Sequence, residues 1–599
     1  MEHVTNPISE VLHQLNGGAN LGGIPLPTLA TDPPLSTFQA APVPRWAWGL
    51  LALIIITGIA LRAYLQFGTP LAPGINGAYY FVQVRALLEH GSEGIPDLPL
   101  VFFVQAALAW LLEHVARIAH ENAIIDAVKT VDSVLPPLVA LPIAWLGWRW
   151  QGRGGVMTWG ALAPAAIVAC GSQALRMVGD FQKNSLGLVW LGCLAAAAHY
   201  YVEKPCRARA WWVLAALGLC CLTHVGVFGS ALVFAFALTV MAAITLGRSG
   251  AWPLVRLCLW GLLVVAAAAA VVALAFDPAR MVRLSKALLQ PETFVGGHDG
   301  PGGMGRPGGP MPGGGPPGGA AFHPPGPGMG PPGFGPPGAF GWLRWLPGGL
   351  FLTLGLFTVW TAWRFRAQLT PCDRVVGVAA ALTAATLGGP FFDMDKSMRL
   401  MLIAMIPGVV AFSFLMASLD RYWRIALGGL ALLVTAAGTT LQMQHRSFSM
   451  ISPASYEELK SLAQFATPSE QCLVVAHHGL EWWAAWALHT HIAQPTALHP
   501  EDWTKFQKVL YLNENRREFM GGPPGGRPDG PGGGFPGGPP PFGDGPPPGG
   551  PPGGGPGGHR GNPMASAVIP PDAEILHDGT YYKLAWVRRE PPPNSANAK

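Results

Sequence analysis

The chain has 599 residues, of which 50% are hydrophobic and 12% charged, with a formal net charge of +5. Its mean hydropathy is +0.32 although it carries 78 Gly and 60 Pro, a balance that excludes an ordinary soluble protein. The charges fall at the edges of apolar segments and form no basic stripe, which excludes nucleic acid as a partner.

Residues 1–45 lack a basic stretch followed at once by a cleavable apolar core. The run from Trp46 to Tyr64, WAWGLLALIIITGIALRAY, is therefore expected to stay in the membrane as a signal anchor, with residues 1–45 as a cytoplasmic segment. It is the first of about eleven apolar segments near the length that crosses a hydrocarbon core roughly 30 Å thick. They run over 46–66, 131–148, 155–171, 185–201, 210–227, 229–246, 257–275, 347–363, 375–391, 400–418 and 425–442. Alternate connections collect Arg149 and Arg153; Lys204, Arg207 and Arg209; Arg248 and Arg256; Arg364, Arg366 and Arg374; and Arg421 and Arg424. The positive-inside rule makes these connections cytoplasmic and places loop 67–130, loop 276–346 and the tail from 443 on the outer side. Residues 98–119 have the apolarity of a twelfth crossing, but that count would turn two basic clusters outward. Glu113, His114 and Arg117 at one end also suit a helix lying on the membrane surface.

Two tracts, 297–342 and 519–563, are mostly Gly and Pro without the period of collagen, and are expected to be disordered. Around the second, residues 443–599 predict a small α/β domain. In it 454–466 reads as a helix started by Ser452 and Pro453, 471–477 as a buried strand, 481–493 as a helix, and 572–589 as a hairpin turning at Asp578-Gly579. Trp482, Trp483 and Trp486 are expected to seat this domain on the membrane interface. Seven of the eight cysteines lie in or beside apolar segments and only Cys472 in the late polar region, which leaves no exported disulfide framework.

The chemistry is expected where ionisable groups gather at the outer membrane face. The short connection 171–185 packs Arg176, Asp180, Lys183 and Asn184; residues 391–399 supply Asp393, Asp395, Lys396 and Arg399. Loop 67–130 offers Asn76, Tyr79, Tyr80, Arg85, Glu89, His90, Glu93 and Asp97, and His224 ends a span on the same side. Acids beside cations at one depth suit a phosphate-linked lipid, the cations neutralising phosphate while a carboxylate takes a proton from an incoming hydroxyl. The plainer alternative is that Asp180 with Lys183, and Asp395 with Arg399, are helix-end pairs that satisfy one another. Asp180, Asp393 and Asp395 are also hard oxygen ligands, so a divalent cation is conceivable, but no spacing identifies a cofactor. His477 and His478 before Glu481 lack the HExxH order of a zinc site.

In order along the chain, NGAYYFVQVRALLEHG, PDLPLVFFVQAALAW, VDSVLPPLVALPIAWLGWRW and ALRMVGDFQKN resemble the first outer loop and early spans of the GT-C class of membrane glycosyltransferases. That class includes the protein O-mannosyltransferases, the aminoarabinose transferases and the oligosaccharyltransferase catalytic subunits; the likeness is best over residues 46–210. It implies a polytopic α-helical fold of about 11 transmembrane helices with a small extracytoplasmic α/β domain, set in the plasma membrane (the inner one in a bacterium). It further implies an inverting transfer of sugar from a polyprenyl-phosphate donor to an extracytoplasmic lipid, glycan or protein. Asp180 matches the acidic residue after the third span, while Asn76 occupies the usual place of the catalytic Asp. An amide is no base, so either Asp97 or Glu93 replaces it, Asp180 acts alone, or transfer is lost. Asp97 is preferred beside Asp180 because Pro96 and Pro99 would hold it at the start of a surface helix. Asn76, Tyr79, Tyr80, Arg176, Lys183, His224, Asp395, Lys396 and Arg399 are the expected substrate contacts. A noncatalytic assembly or lipid-phosphate-binding protein is the main competing reading. A transporter ranks below both, because no repeated half with matching broken helices is present.

Overall fold

The computed structural model describes residues 43–91, 94, 97–151, 159–276, 346–366, 369–389, 394–444, 449–495, 498, 502–515 and 569–588. The expectations for residues 1–42, for both Gly/Pro-rich tracts and for Glu93 and Asp393 fall outside the described residues.

The protein is a polytopic bundle of apolar helices carrying a C-terminal sheet. Among the described residues six helices are long and apolar enough to cross a membrane: Arg45–Phe67, Gln182–Glu203, Val225–Arg248, Gly250–Ala267, Arg399–Ser418 and Arg421–Gln444. Lipid is the solvent their surfaces fit. Phe236, Ile244 and Leu433 are more than two-thirds exposed, which water would penalise and acyl chains do not. The helices in chain order are α1 (Arg45–Phe67), α2 (Gly77–His90), α3 (Leu100–His114), α4 (His120–Val134), α5 (Ala140–Gln151), α6 (Trp159–Cys170), α7 (Ser172–Arg176), α8 (Gln182–Glu203) and α9 (Arg207–Thr223). They continue as α10 (Val225–Phe276), which breaks at Gly247 with φ 70°, α11 (Leu346–Arg364), α12 (Pro371–Gly388), α13 (Met394–Ser418) and α14 (Arg421–Gln444).

The expected span 131–148 is two helices. Pro136 and Pro137 have no N–H to donate to the helical ladder, and Pro136–Val139 forms a 3₁₀ turn between α4 and α5. α3 has 15 residues, about 22 Å at 1.5 Å per residue, and so falls short of the hydrocarbon thickness. Two connections expected on one side do meet: Arg149, at the end of α5, and Arg209, at the start of α9, both pair with Glu203.

The C-terminal region begins with α15 (Pro453–Ser461), capped by a reciprocal box between Ser452 and Ser455. It continues as β1 (Cys472–Val475), α16 (Leu480–Leu488), β2 (His491–Ala493), α17 (Asp502–Lys505), β3 (Lys508–Glu514), β4 (Glu574–Asp578) and β5 (Tyr582–Val587). The sheet has the order β2-β1-β3-β5-β4, with β1 parallel to β2 and β3, and β5 antiparallel to β3 and β4. The hairpin is as expected, but the helix expected over 481–493 stops at Leu488. His489 turns left-handed at φ 55°, and the next residues pair with β1 as an edge strand.

A second core, separate from that of the bundle, binds the loop helices to this region: Phe81, Phe102 and Ile124 share it with Leu459, Trp483, Trp486 and Leu584. The tryptophans therefore do not seat the domain on lipid. Trp483 and Trp486 are buried against Phe81 of α2, and Trp482 packs edge-on to Tyr79 at 4.8 Å. Arg85 closes the contact. Its guanidinium donates to the carbonyls of Ala485 (2.7 Å) and Trp486 (2.8 Å) at the C-terminal end of α16 and lies over the Trp486 ring.

Candidate functional site

The site lies at the end of the bundle that carries the sheet, and a buried ion pair builds its floor. Arg62 of α1 donates to Asp132 Oδ1 of α4 at 2.5 Å, to the Asp132 carbonyl at 2.6 Å and to the Ala174 carbonyl at 2.7 Å. The second oxygen of Asp132 accepts from Gln66 Nε2 at 2.5 Å and from the Gly179 N–H at 3.1 Å. Both oxygens of this carboxylate are thus bonded, and the Gly179 contact ties the turn before α8 to the ion pair. Gly179 has φ +85°, and a Cβ there would come within 2.2 Å of the Pro73 carbonyl oxygen, so the turn lies directly on residues 73–76.

That contact cradles Asp180. The N–H of Asn76, the residue that caps α2, donates to Asp180 Oδ1 at 2.7 Å, and a Cβ on Gly74 would lie 2.5 Å from the carboxylate carbon. Burial pushes the Asp180 pKa above the ordinary carboxylate value, against the opposing pull of the Asn76 and Ile75 N–H groups and of the charge on His478. Asn76 itself makes no side-chain cap to α2.

Asp97 sits in the opposite electrostatic setting. Burial would raise its pKa, but the ammonium of Lys183 and the hydroxyl of Tyr79 both bond Oδ2, the Leu98 N–H donates to Oδ1 at 2.7 Å, and the net shift is downward. Lys183 lies over the rings of Tyr79 (5.2 Å) and Phe102 (5.8 Å). The expected i,i+3 partner of Asp180 thus bonds a carboxylate 86 positions away instead. Tyr80 packs against the turn before α8: its hydroxyl donates to the Asp180 carbonyl and accepts from the backbone nitrogen of Lys183, both at 3.4 Å.

Around this pair, His224 joins α9 to α10 and accepts the Gly226 N–H at Nδ1. It lies within electrostatic reach of Lys183, Asp97 and Arg399. Arg176 is exposed at the end of α7 and Arg399 near the start of α13; Asp395 and Lys396 lie in the first turn of α13, with side chains outside the described residues. The structure thus assembles Asn76, Tyr79, Tyr80, Asp97, Asp180, Lys183 and His224. Among the described residues no group of three or more His, Cys, Asp or Glu is arranged to hold a metal ion.

Sequence reasoning missed Arg62 and Asp132, whose signal was a lone ionisable residue inside or at the edge of an apolar segment. It also missed the contribution of the C-terminal region. There His478 Nδ1 lies 3.0 Å from Glu481 Oε1, and Gln494 Nε2 reaches both, at 2.9 Å from Glu481 and 3.2 Å from His478. Away from the carboxylates, a cavity of about 290 Å³ opens among Ile167, Gly171, Phe351, Met405, Gly408 and Val434.

No family model and no curated protein matches the chain. Among solved structures it is similar to ArnT from Cupriavidus metallidurans bound to undecaprenyl phosphate, with a TM-score of 0.47 and 13% identity over 75% of this chain and 85% of that one. The apo state of the same protein gives a TM-score of 0.45 and 14% identity over 78% and 93% of the two chains.

Proposed function

We propose that this protein transfers a sugar from a polyprenyl-phosphate donor to an acceptor on the extracytoplasmic side, at the membrane end that bears the sheet. One observation carries the reading: two half-buried carboxylates of one cluster have opposite proton affinities, Asp97 held low and Asp180 raised. Environments that separate two acids in this way divide the labour of acid–base chemistry. Asp180 is the better base, since a raised affinity lets it keep the proton that it removes. Asp97, already bonded to Lys183 and Tyr79, serves to hold that lysine toward an anionic leaving group.

In the proposed step the acceptor hydroxyl gives its proton to Asp180 as its oxygen bonds the anomeric carbon. The bond from that carbon to the phosphate oxygen breaks, and the electron pair leaves with the lipid phosphate, met by Lys183 and Arg399. The apolar cavity beside α13 has the lining that prenyl units need. A second reading, a lipid-phosphate-binding protein without turnover, draws support from the amide at Asn76.

Transfer of radiolabelled sugar from a panel of polyprenyl-phosphate donors, by full-length protein in lipid nanodiscs, separates the two. Loss of a general base costs about 10²–10⁴-fold in rate, so Asp180→Asn should show that loss and Asp97→Asn a smaller one. Binding of the lipid phosphate without transfer from any donor would establish the second reading.

A further inference from the structure

We propose that His478, carried by the C-terminal region and not by the bundle, completes the site as an imidazolium that answers the donor's phosphate and sets the charge state of Asp180. The inference rests on the transferase reading for its substrate and on independent geometry for its residue.

Glu481 is 1% exposed, and its Oε1 takes hydrogen bonds from the imidazole of His478 and the amide of Gln494. Its other oxygen is buried without a hydrogen-bond partner. A positive charge beside this side chain offsets the cost of burying it, and His478 is the titratable group bonded to it. With Nδ1 turned to Glu481, Nε2 is left to serve a ligand. The turn that bears His478 is fixed against the other half of the site. Gly479 has φ +96°, and a Cβ there would lie 2.7 Å from Ile75 Cγ2 and 2.5 Å from Met450 Sδ. Ile75 and Asn76 are the residues whose N–H groups hold Asp180. The charged groups facing His478 are Glu481 from α16, Asp180 from the turn before α8 and Arg399 from α13; the carboxylates favour the imidazolium and the arginine opposes it. Their joint effect raises its proton affinity, in the direction the geometry requires. An imidazolium beside Asp180 keeps that carboxylate ionised and ready for a proton. With Arg399 and Lys183 it gives a departing phosphate cations from three separate elements.

Full-length protein in nanodiscs is treated with diethyl pyrocarbonate between about pH 5 and 9, and modification of His478 is followed by peptide mass spectrometry. The midpoint for His478 should lie above the ordinary histidine value of about 6.5 and fall in both Glu481→Gln and Asp180→Asn. Undecaprenyl phosphate should protect His478 in the wild type. In the transfer assay His478→Gln should lower kcat/KM roughly 10-fold or more near neutral pH and flatten the pH dependence that the wild type shows. A midpoint insensitive to Asp180→Asn, absence of protection, or wild-type kcat/KM in His478→Gln at every pH would each overturn the inference and leave the transferase reading standing. Protection of His478 with no transfer from any donor would instead sink the transferase reading and leave His478 as a phosphate ligand.

Discussion

At the scale of single residues the site is set by what each carboxylate touches, and two experiments read it directly. Asp180 has a folded-state pKa above its unfolded value, so its ionisation weakens the fold as pH rises through the folded value. Asp180→Asn should therefore raise Tm in lipid even as transfer falls, with the gain larger near pH 8 than near pH 5. Asp97 has the opposite sign. Its contribution is complete above the unfolded pKa of about 3.9 and is lost only as pH falls through its lower folded value. Gly74 tests the cradle without changing charge: its φ of +88° and the nearness of the Asp180 carboxylate leave no room for a methyl group. Gly74→Ala should cost about 1–2 kcal/mol in stability from the left-handed backbone alone, and transfer should fall further than stability does. The residue types at 97, 180 and 183 were legible from sequence as acids and a cation at one membrane depth. Their pairing was not, since Lys183 has Asp180 three positions away and bonds Asp97 across 86.

At the scale of elements, α2 and α16 form the joint that brings the C-terminal region to the bundle, and Arg85 is its polar clasp. Hydrogen bonds from a charged donor contribute roughly 1.5–3 kcal/mol, so Arg85→Ala should loosen α16 by about that amount. Limited proteolysis would show it as faster cleavage near residues 476–495, and unchanged cleavage would mean that the aromatic contacts suffice. The floor of the site is stiffer. Removing the Asp132 carboxylate leaves Arg62 buried and uncompensated, and Asp132→Ala should cost about 3–5 kcal/mol, read as a fall in Tm of the protein in nanodiscs. Elements with strong local signals were foreseen: α15 from its cap and the β4–β5 hairpin from its turn. β2 was read as helix because ALHTHIA continues an apolar run, and pairing with β1, a non-local event, decided otherwise. β3 went unread although VLYL is an apolar run, because so short a run has no strand identity until a sheet accepts it.

At the scale of the whole molecule the question is which end faces the cytoplasm. Arg149, Glu203 and Arg209 meet at the end opposite the sheet, so a cysteine placed at Lys204 should react with a membrane-impermeant maleimide only after cells are opened. One placed at Glu470 should react in intact cells; the reverse pattern would move the proposed chemistry to the cytoplasm. The apolar, membrane-embedded character of the bundle, the basic connections and the cap at Ser452 were legible in the sequence, because each depends on solvent or on neighbours within a few positions; the break of 131–148 into two helices was not. Tertiary structure alone decided that Trp483 and Trp486 bind α2 and not lipid, that Asp97 is paired and Asp180 cradled, and that His478 stands beside the site. Burial and charge pairing are properties of a place in the fold, and a carboxylate acquires its proton affinity only when distant parts of the chain close around it.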